Sequence, residues 1–256
     1  MPRIALITGA TAGFGKACAE KFASAGYDLI LNGRREGRLQ DLKKQLESHY
    51  NMAVCILPFD VREREKVFES INQIPEDWQN IDVLINNAGL ALGRDYFDEA
   101  DLDDWDVMID TNVKGVLYVT RAVIPLMLKN KSESPRHIIN LGSVAGHEVY
   151  EKGNVYCATK YAVDAISQSM RIDLLRKGIK VTNIQPGAAE TEFGIVRFKG
   201  DESTAKKVYD GLEPLSAKDV ADIIFYTTTL PAHVCVNDIV VTCLQQADAI
   251  YFYRKT

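Results

Sequence analysis

Residues 3–26 read RIALITGATAGFGKACAEKFASAG and place a glycine-rich turn between an apolar run and an amphipathic helical pattern. Three glycines, Gly9, Gly13 and Gly15, occupy the turn. Positions without side chains let a backbone bend tightly and approach a pyrophosphate, whose charge is stabilised at the amino terminus of the following helix. Glycines also serve any sharp turn, but the order strand, glycines, helix in the first βα unit favours nucleotide binding.

The rest of the chain repeats the alternation of strand and helix. Near-continuous apolar runs at 3–7, 28–32, 53–57, 81–86, 137–142, 180–184 and 238–242 predict strands that are buried on both faces of a parallel sheet. Helical patterns lie between them, at about 14–25, 35–48, 62–73, 101–130, 154–177 and 217–228. This alternation predicts an α/β fold of the Rossmann type, with about seven strands in a doubly wound parallel sheet and helices on both faces.

No linker or internal repeat divides the chain, so we expect a single domain over residues 1–256. One segment, residues 186–215, breaks the rhythm with a long polar insertion. Insertions of this length in compact domains are usually lids or disordered, and we expect a lid that covers the substrate.

Composition and charge exclude several classes of function. The formal net charge of −5 provides no basic surface for nucleic acid. No apolar run approaches the ~20 residues that a membrane helix needs. The five cysteines form no CxxC pair and the four histidines no HxxxH or HExxH spacing, so we expect no metal site. The amino terminus enters an apolar strand directly, without a secretory signal, which predicts a cytoplasmic protein.

The segment after the second predicted strand bears on the choice of cofactor. An NAD enzyme usually places an acid there, which binds the ribose 2′-hydroxyl. This sequence instead reads NGRREGR over residues 32–38, with Arg34 and Arg35 at that place. We find no carboxylate there that would repel a 2′-phosphate, and a guanidinium can bind a phosphate through two hydrogen bonds. We therefore predict NADP(H) as the cofactor; the alternative is a pair of solvated arginines at a helix start.

Residues 154–163, NVYCATKYAV, place Tyr156 four residues before Lys160. On a helix the two side chains share one face, about 5–6 Å apart at Cβ, and a nearby ammonium favours the phenolate form of a tyrosine. Such a phenol can exchange a proton with a carbonyl or an alcohol. Ser143 follows the fifth predicted strand and can donate a hydrogen bond to a substrate oxygen. Taken singly, each of these residues is equally compatible with a helix surface or a turn.

The motifs occur together in the order of a known family. Thr8 through Gly15 match the signature Thr-Gly-x-x-x-Gly-x-Gly, and NNAG, Asn112, Ser143, Tyr156 with Lys160, and Pro186-Gly187 follow it. The chain resembles the short-chain dehydrogenase/reductase family over essentially its whole length. This resemblance implies a catalytic set of Tyr156, Lys160, Ser143 and Asn112, in which the asparagine holds a water that links the lysine to bulk proton exchange.

The same resemblance implies the cofactor contacts. Asp60 is expected to bind the adenine amino group and Val61 to supply a backbone contact. The full expected set is Gly9, Thr11, Gly13, Phe14, Gly15, Arg34, Arg35, Asp60, Val61, Asn87, Tyr156, Lys160, Pro186 and Gly187. The family resemblance also implies a homotetramer. The C-terminal segment QQADAIYFYRKT (245–256) could cross a subunit boundary or cover the chain's own sheet.

Several longer stretches, among them GNVYCATK and TEFGIVRFKGD, resemble one subgroup of the family, the NADP-dependent 3-hydroxy acid dehydrogenases. This implies reversible oxidation of a small 3-hydroxy acid such as serine, allo-threonine or 3-hydroxyisobutyrate. The alternatives are a broader carbonyl or 3-oxoacyl reductase that uses NADPH and, more distantly, an NADP-binding regulator without turnover.

A 3-hydroxy acid needs a cation for its carboxylate, and the 186–215 segment contains Arg197 and Lys199. We hypothesise that Arg197 pairs with the carboxylate when the lid closes. The alternatives are a solvated charge and a contact with the cofactor phosphates. Tyr150, which lies between Ser143 and Tyr156 in the sequence, is expected to line the same pocket.

Overall fold

A seven-stranded sheet forms the centre of the molecule in a computed structural model that describes residues 2–130 and 135–255. Its strands are β1 (Ile4–Ile7), β2 (Asp28–Gly33), β3 (Val54–Pro58), β4 (Ile81–Asn86), β5 (Arg136–Leu141), β6 (Ile179–Pro186) and β7 (Asp238–Val241). The strands lie in the order β3-β2-β1-β4-β5-β6-β7, and all neighbours pair in parallel. Along β1, Ala5 and Ile7 pack into the core on one face of the sheet, and Ile4 and Leu6 pack into the core on the other.

Helices cover both faces of this sheet. They are α1 (Gly13–Ser24), α2 (Glu36–His49), α3 (Arg64–Asn72), α4 (Leu102–Ile109), α5 (Gly115–Lys129), α6 (Asn154–Leu174), α7 (Glu192–Arg197), α8 (Glu202–Lys207) and α9 (Ala217–Thr228). Side chains of α1, α2 and α9 pack on one face, and those of α3, α5 and α6 on the other. The predicted Rossmann-type fold is therefore confirmed. Within the two described ranges, none of the helices has the length and apolar character needed to cross a membrane.

The helix predicted over residues 101–130 is continuous but changes its helical geometry near its middle. Residues 110–114 form a π-helical turn that joins α4 to α5. Such a turn accommodates an extra residue within a continuous helix and is frequent at functional sites. It contains the buried Asn112, which an uninterrupted helix would place in a different register.

The 186–215 segment is not an extended loop, because it contains the short helices α7 and α8. Each helix begins at a side chain that accepts a backbone hydrogen bond. Thr191 Oγ1 accepts from the Phe193 amide at 3.2 Å, and Asp201 Oδ1 accepts from the Thr204 amide at 3.0 Å. These caps satisfy amide groups that have no partner within the helix.

Three buried asparagines lie side by side on the central strands. Asn86, Asn140 and Asn183 are paired in register across β4, β5 and β6. Asn86 Nδ2 donates to Asn140 Oδ1 at 2.8 Å, and Asn140 Nδ2 donates to Ser167 Oγ at 2.9 Å. Since Ser167 belongs to α6, this row of amides ties the sheet to the helix that carries Tyr156.

Candidate active site

A cleft of about 720 Å³ lies at the carboxyl ends of the strands. Ligands of open parallel sheets bind at this edge. The cleft is lined by most of the residues that the sequence singled out: Gly9, Thr11, Gly13, Phe14, Arg34, Arg35, Asp60, Val61, Asn87, Ser143, Tyr150, Tyr156, Lys160, Pro186, Gly187 and Arg197. Three of the singled-out residues, Gly15, Asn112 and Lys199, do not line it.

The glycine-rich turn forms one end of the cleft. Gly9 and Gly13 have positive φ angles of 65° and 50°, which side chains other than glycine rarely adopt. A Cβ at Gly15 would collide with the carbonyl of Gly9 and lie 2.5 Å from Asn87 Nδ2. Because the turn leads into the amino terminus of α1, its bare backbone fits a pyrophosphate.

The arginines after β2 are held by neighbours from elsewhere in the chain. Arg35 Nη2 donates to Thr11 Oγ1 at 2.9 Å, and Arg35 Nη1 lies 3.5 Å from Glu192 Oε2. Arg38 Nη1 donates to both oxygens of Glu192 at 3.1 Å. The sequence argument that no carboxylate faces these arginines is therefore wrong, because it considered only the residues next to β2. Neither Arg38 nor Glu192 was selected from the sequence, although Arg38 is the third arginine of NGRREGR.

Asp60 and Val61 lie just after the end of β3 and line the cleft. Arg62 donates to both oxygens of Asp60, with a shortest distance of 2.7 Å, and Arg34 Nη1 lies 3.9 Å from Asp60 Oδ2. Burial raises the pKa of the Asp60 carboxyl, but the hydrogen bonds and charge of Arg62 outweigh burial and hold it below its usual value. The carboxylate is thus charged at neutral pH.

Tyr156 and Lys160 project from α6 into the floor of the cleft, and both are buried. Lys160 Nζ donates to the Leu141 carbonyl at 2.8 Å and lies 5.9 Å from the centroid of the Tyr156 ring. Ser143 Oγ accepts from the Ala145 amide at 3.1 Å and donates to the Pro186 carbonyl at 3.5 Å. The structure therefore brings the three residues to the same floor.

Burial dominates the protonation of the pair. It raises the pKa of Tyr156 above its ordinary value, although a hydrogen bond with Ser143 and the charge of Arg197 oppose this rise. Burial also lowers the pKa of Lys160 to about 8. At neutral pH the phenol therefore keeps its proton and most of the lysine is charged. This arrangement suits a proton donor better than the preformed phenolate that the Tyr-Lys spacing alone favoured.

Asn112 holds the surroundings of the site together. Its Oδ1 accepts from the Leu90 amide at 2.8 Å, while its Nδ2 donates to the Leu90 carbonyl at 2.8 Å and to Thr159 Oγ1 at 3.0 Å. The side chain thus joins the loop after β4 to α6, next to Lys160. Its expected role in holding a water stays a prediction.

Arg197 lies above the floor of the cleft, close to Tyr156. Its Nη1 donates to the Tyr150 hydroxyl at 2.9 Å, and its guanidinium carbon is 5.5 Å from the centroid of the Tyr156 ring. Phe193 contacts the same tyrosine, with the ring centroids 5.7 Å apart. Lys199, in contrast, pairs with Asp104 at 2.8 Å and does not line the cleft.

Other residues that the sequence argument did not select also line the cleft, among them Arg94, Glu151, Thr191, Ile250, Phe252 and Arg254. The last three belong to the C-terminal segment, which folds back along its own chain. Its tyrosine-rich composition indicated that it packs against something, but not what it packs against. Within the described parts of the chain, no group of three or more His, Cys, Asp or Glu side chains could hold a metal ion.

Comparison with known proteins agrees with this geometry. The family model described as short chain dehydrogenase matches residues 3–201. The chain belongs to the short-chain dehydrogenase family. It is therefore an oxidoreductase, and the resemblance drawn from its motifs is confirmed.

Two curated members of the short-chain dehydrogenase family have similar sequences. The chain is 46% identical over 247 residues to Sulfoacetaldehyde reductase 2 of Chromohalobacter salexigens, and the match covers 96% of each. It is also 46% identical over 235 residues to NADP-dependent 3-hydroxy acid dehydrogenase YdfG of Escherichia coli, covering 91% of this chain and 92% of the relative.

Two solved structures of serine dehydrogenases are also similar to this chain over nearly its whole length. The closed form of serine dehydrogenase complexed with NADP+ matches with a TM-score of 0.90 and 43% identity, over 99% of this chain and 100% of that chain. Serine dehydrogenase from Escherichia coli matches with a TM-score of 0.79 and 40% identity, over 95% of this chain and 99% of that chain.

Proposed function

We propose that the protein is an NADP(H)-dependent oxidoreductase that interconverts a small 3-hydroxy acid and the corresponding 3-oxo acid. The observation that carries the proposal is the position of Arg197, whose guanidinium carbon lies 5.5 Å from the ring of Tyr156. In a 3-hydroxy acid a single carbon separates the carboxylate from the carbon that bears the hydroxyl. A carboxylate on Arg197 therefore leaves the hydroxyl within reach of the phenol.

The cofactor end of the cleft supports NADP(H). The bare backbone around Gly9 and Gly13 would hold the pyrophosphate at the start of α1, and Arg34 with Arg35 would hold the 2′-phosphate. When bound, NADP(H) donates or accepts the hydride. The related 3-hydroxy acid dehydrogenase is named as NADP-dependent, and the serine dehydrogenase structure contains NADP+.

In the direction of reduction, Tyr156 donates its proton to the substrate carbonyl oxygen as negative charge develops there. Ser143 donates a hydrogen bond to the same oxygen and stabilises that charge. The Lys160 ammonium, which Leu141 holds beneath the tyrosine ring, lowers the cost of the phenolate as it forms. Asn112 positions α6 through Thr159 and, as the family resemblance implies, would hold a water for proton exchange with Lys160. In the oxidation direction Tyr156 must first lose its proton to solvent, and the resulting phenolate then takes up the proton of the substrate hydroxyl.

The 186–215 segment would act as a lid over this chemistry. It contributes Phe193 and Arg197 to the cleft, both of them in contact with Tyr156. A lid that excludes water strengthens the charge-assisted contacts within the site. Residues 1–256 would then be one NADP-binding domain with this lid as its insertion.

A second candidate substrate is sulfoacetaldehyde, which the protein would reduce at its aldehyde. The same guanidinium suits it, since the planar donor fork that binds the oxygens of a carboxylate or a phosphate can also bind those of a sulfonate. The relative from Chromohalobacter salexigens is named for this reaction. The two candidates share the anion site and differ in the group that reacts.

We also propose that the protein works as a cytoplasmic homotetramer. Large apolar side chains are exposed along the helices that flank the site: Leu102, Ile109, Leu117, Ile172 and Leu175. Apolar side chains exposed on neighbouring helices are typical of surfaces that pack against another subunit.

The substitution Arg197→Met tests the anion site. With serine, 3-hydroxyisobutyrate or sulfoacetaldehyde as substrate, we expect KM to rise by about 10-fold to 100-fold, because a charge-assisted hydrogen bond is lost. With a short uncharged ketone, KM should not change. Steady-state rates followed by NADPH absorbance measure both.

Lys199→Met is the matched control, because this lysine lies two residues away and pairs with Asp104. Parallel KM changes for acids and ketone in the Arg197 variant would contradict the anion site. If the protein reduces sulfoacetaldehyde but oxidises none of the 3-hydroxy acids, sulfoacetaldehyde would replace the 3-hydroxy acid as the proposed substrate.

A further inference from the structure

A carboxylate from the 186–215 segment faces the arginines that follow β2. Glu192 is the first residue of α7, and both of its carboxylate oxygens lie 3.1 Å from Arg38 Nη1. One of these oxygens is also 3.5 Å from Arg35 Nη1. The three side chains are 47–49% exposed, so solvent and small anions reach them. Glu192 therefore binds Arg35, which the proposed function gives to the 2′-phosphate, and also binds Arg38 beside it.

We propose that Glu192 competes with the 2′-phosphate of NADP(H) for Arg35 and Arg38, and so limits the preference for NADP(H) over NAD(H). The inference rests on the proposed cofactor. A phosphate bound to Arg35 would lie a few ångströms from the Glu192 carboxylate, where like charges repel. The carboxylate must then leave the guanidinium groups, or the phosphate must accept weaker contacts.

Arg35 is the residue through which this competition reaches the cofactor. Its second guanidinium nitrogen donates to Thr11 in the glycine-rich turn at 2.9 Å, so the side chain is already fixed beside the pyrophosphate position. Arg38 adds a second cation one helical turn further along α2. Arg34, whose nearest carboxylate oxygen belongs to Asp60 at 3.9 Å, contacts the phosphate without this competition.

The competition also links the cofactor to the 186–215 segment. Glu192 begins the helix that ends with Arg197, the residue proposed to bind the substrate anion. A phosphate that displaces Glu192 would therefore act on the same short helix that carries the proposed anion-binding arginine. NAD(H) carries a hydroxyl in place of the 2′-phosphate, so its binding should not depend on the charge at residue 192.

Binding of two adenine nucleotides to the whole protein tests the inference without turnover. Isothermal titration calorimetry at low salt would measure the Kd of 2′,5′-ADP and of 5′-AMP for wild type, Glu192→Gln and Glu202→Gln. In the Glu192 variant we expect the Kd of 2′,5′-ADP to fall by about twofold to fivefold, the upper part of the range for an exposed ion pair, with the Kd of 5′-AMP unchanged. The gain should shrink at high salt.

Glu202→Gln is the matched control, because Glu202 begins the next helix and makes no side-chain hydrogen bond or ion pair within residues 2–130 and 135–255. It removes the same charge from the same segment and should leave both Kd values at the wild-type level. Arg38→Gln should weaken 2′,5′-ADP alone.

The outcomes separate the two proposals. A wild type that binds both nucleotides equally would overturn the NADP(H) assignment and the inference with it. A wild type that prefers 2′,5′-ADP, together with a Glu192 variant that binds it equally or more weakly, would overturn only the competition. Weaker binding would mean that Glu192 positions the arginines for the phosphate.

Discussion

At the scale of single residues, the chemistry of the cleft depends on how deeply Tyr156 and Lys160 are buried. Water is excluded from both, so the uncharged phenol is favoured over the phenolate and the pKa of the ammonium falls to about 8. Arg197 supplies an opposing charge from above the ring. The protonated phenol is thus the form from which a carbonyl would take its proton.

The substitution Tyr156→Phe removes that proton and keeps the ring. We expect kcat to fall by at least about 100-fold, the usual contribution of a positioned general acid, while the Kd of NADPH stays within about twofold. Turnover is followed by NADPH absorbance and binding by NADPH fluorescence. Tyr226→Phe, at an exposed position on α9, is the control and should behave as wild type. Wild-type turnover in the Tyr156 variant would exclude the proton-donor role.

The sequence predicted these catalytic candidates but not the direction of their pKa values. The four-residue spacing on a helix is local, so it places tyrosine and lysine on one face before any tertiary contact exists. Burial depends on what covers that face, and here Phe193 and Arg197 do so from more than thirty positions further along the chain.

At the scale of elements, β5 carries a buried histidine outside the cleft. His137 Nε2 lies 2.7 Å from Thr182 Oγ1 on β6, and Thr182 Oγ1 in turn donates to the Val236 carbonyl at 2.6 Å. Burial, together with the nearby charges of Lys180 and Arg3, lowers the pKa of His137 to about 3. The folded protein therefore holds this ring uncharged, whereas the unfolded chain protonates it near pH 6.5.

This difference predicts how stability depends on pH. The contribution of His137 is complete above about pH 6.5 and is lost as the pH falls toward 3, because protons then bind the unfolded chain preferentially. Between pH 7 and pH 5 we expect wild type to lose about 2 kcal/mol more unfolding free energy than His137→Gln loses. Urea unfolding at the two pH values measures it. His49→Gln, at an exposed ring, should keep the wild-type dependence; equal losses in all three proteins would refute the prediction.

The helix over residues 101–130 contains a feature that the sequence did not predict. Its apolar periodicity predicted one helix, and the backbone is continuous through the π-helical turn at 110–114. Nothing in the periodicity demands an extra residue there. The turn aims Asn112 at Leu90 and Thr159, two partners that only the packed structure brings within hydrogen-bonding distance.

At the scale of the whole molecule, the C-terminal segment holds the end of the 186–215 segment. Lys255 N and Gln245 Nε2 both donate to the Gly211 carbonyl, at 2.9 and 2.8 Å. The Arg254 guanidinium donates to the carbonyls of Asp210 and Val208, at 2.5 and 3.1 Å. These contacts anchor the chain just after α8.

Loss of the Arg254 guanidinium should loosen the proposed lid. In Arg254→Ala we expect KM for the anionic substrate to rise by about threefold to tenfold, with the Kd of 2′,5′-ADP near the wild-type value. Hydrogen exchange of the amides around Gly211 should be faster. Lys255→Ala is the matched control, because only the backbone of Lys255 takes part in the described contacts. Unchanged KM and exchange in the Arg254 variant would show that the contact does not hold the lid.

The amino-acid sequence by itself determined the parallel sheet, its single domain and the order of its motifs. That information is local: a glycine-rich turn, a continuous apolar run and a four-residue spacing each constrain the chain within a few residues. Even the preference for NADP(H) was predicted locally, because Arg34 stands directly after β2 where an NAD enzyme usually has an acid.

Only the tertiary structure decided which distant charges meet at the site. It brings Glu192 to Arg35 across 157 residues, turns Arg197 rather than Lys199 toward Tyr156, and folds the C-terminal segment onto the chain after α8. The charge of a side chain can be read from the sequence, but its partner depends on how packing orients the elements that carry both groups. The first stretch, residues 3–26, thus predicted a nucleotide-binding fold, whereas contacts between distant segments decide which charged groups face the cleft.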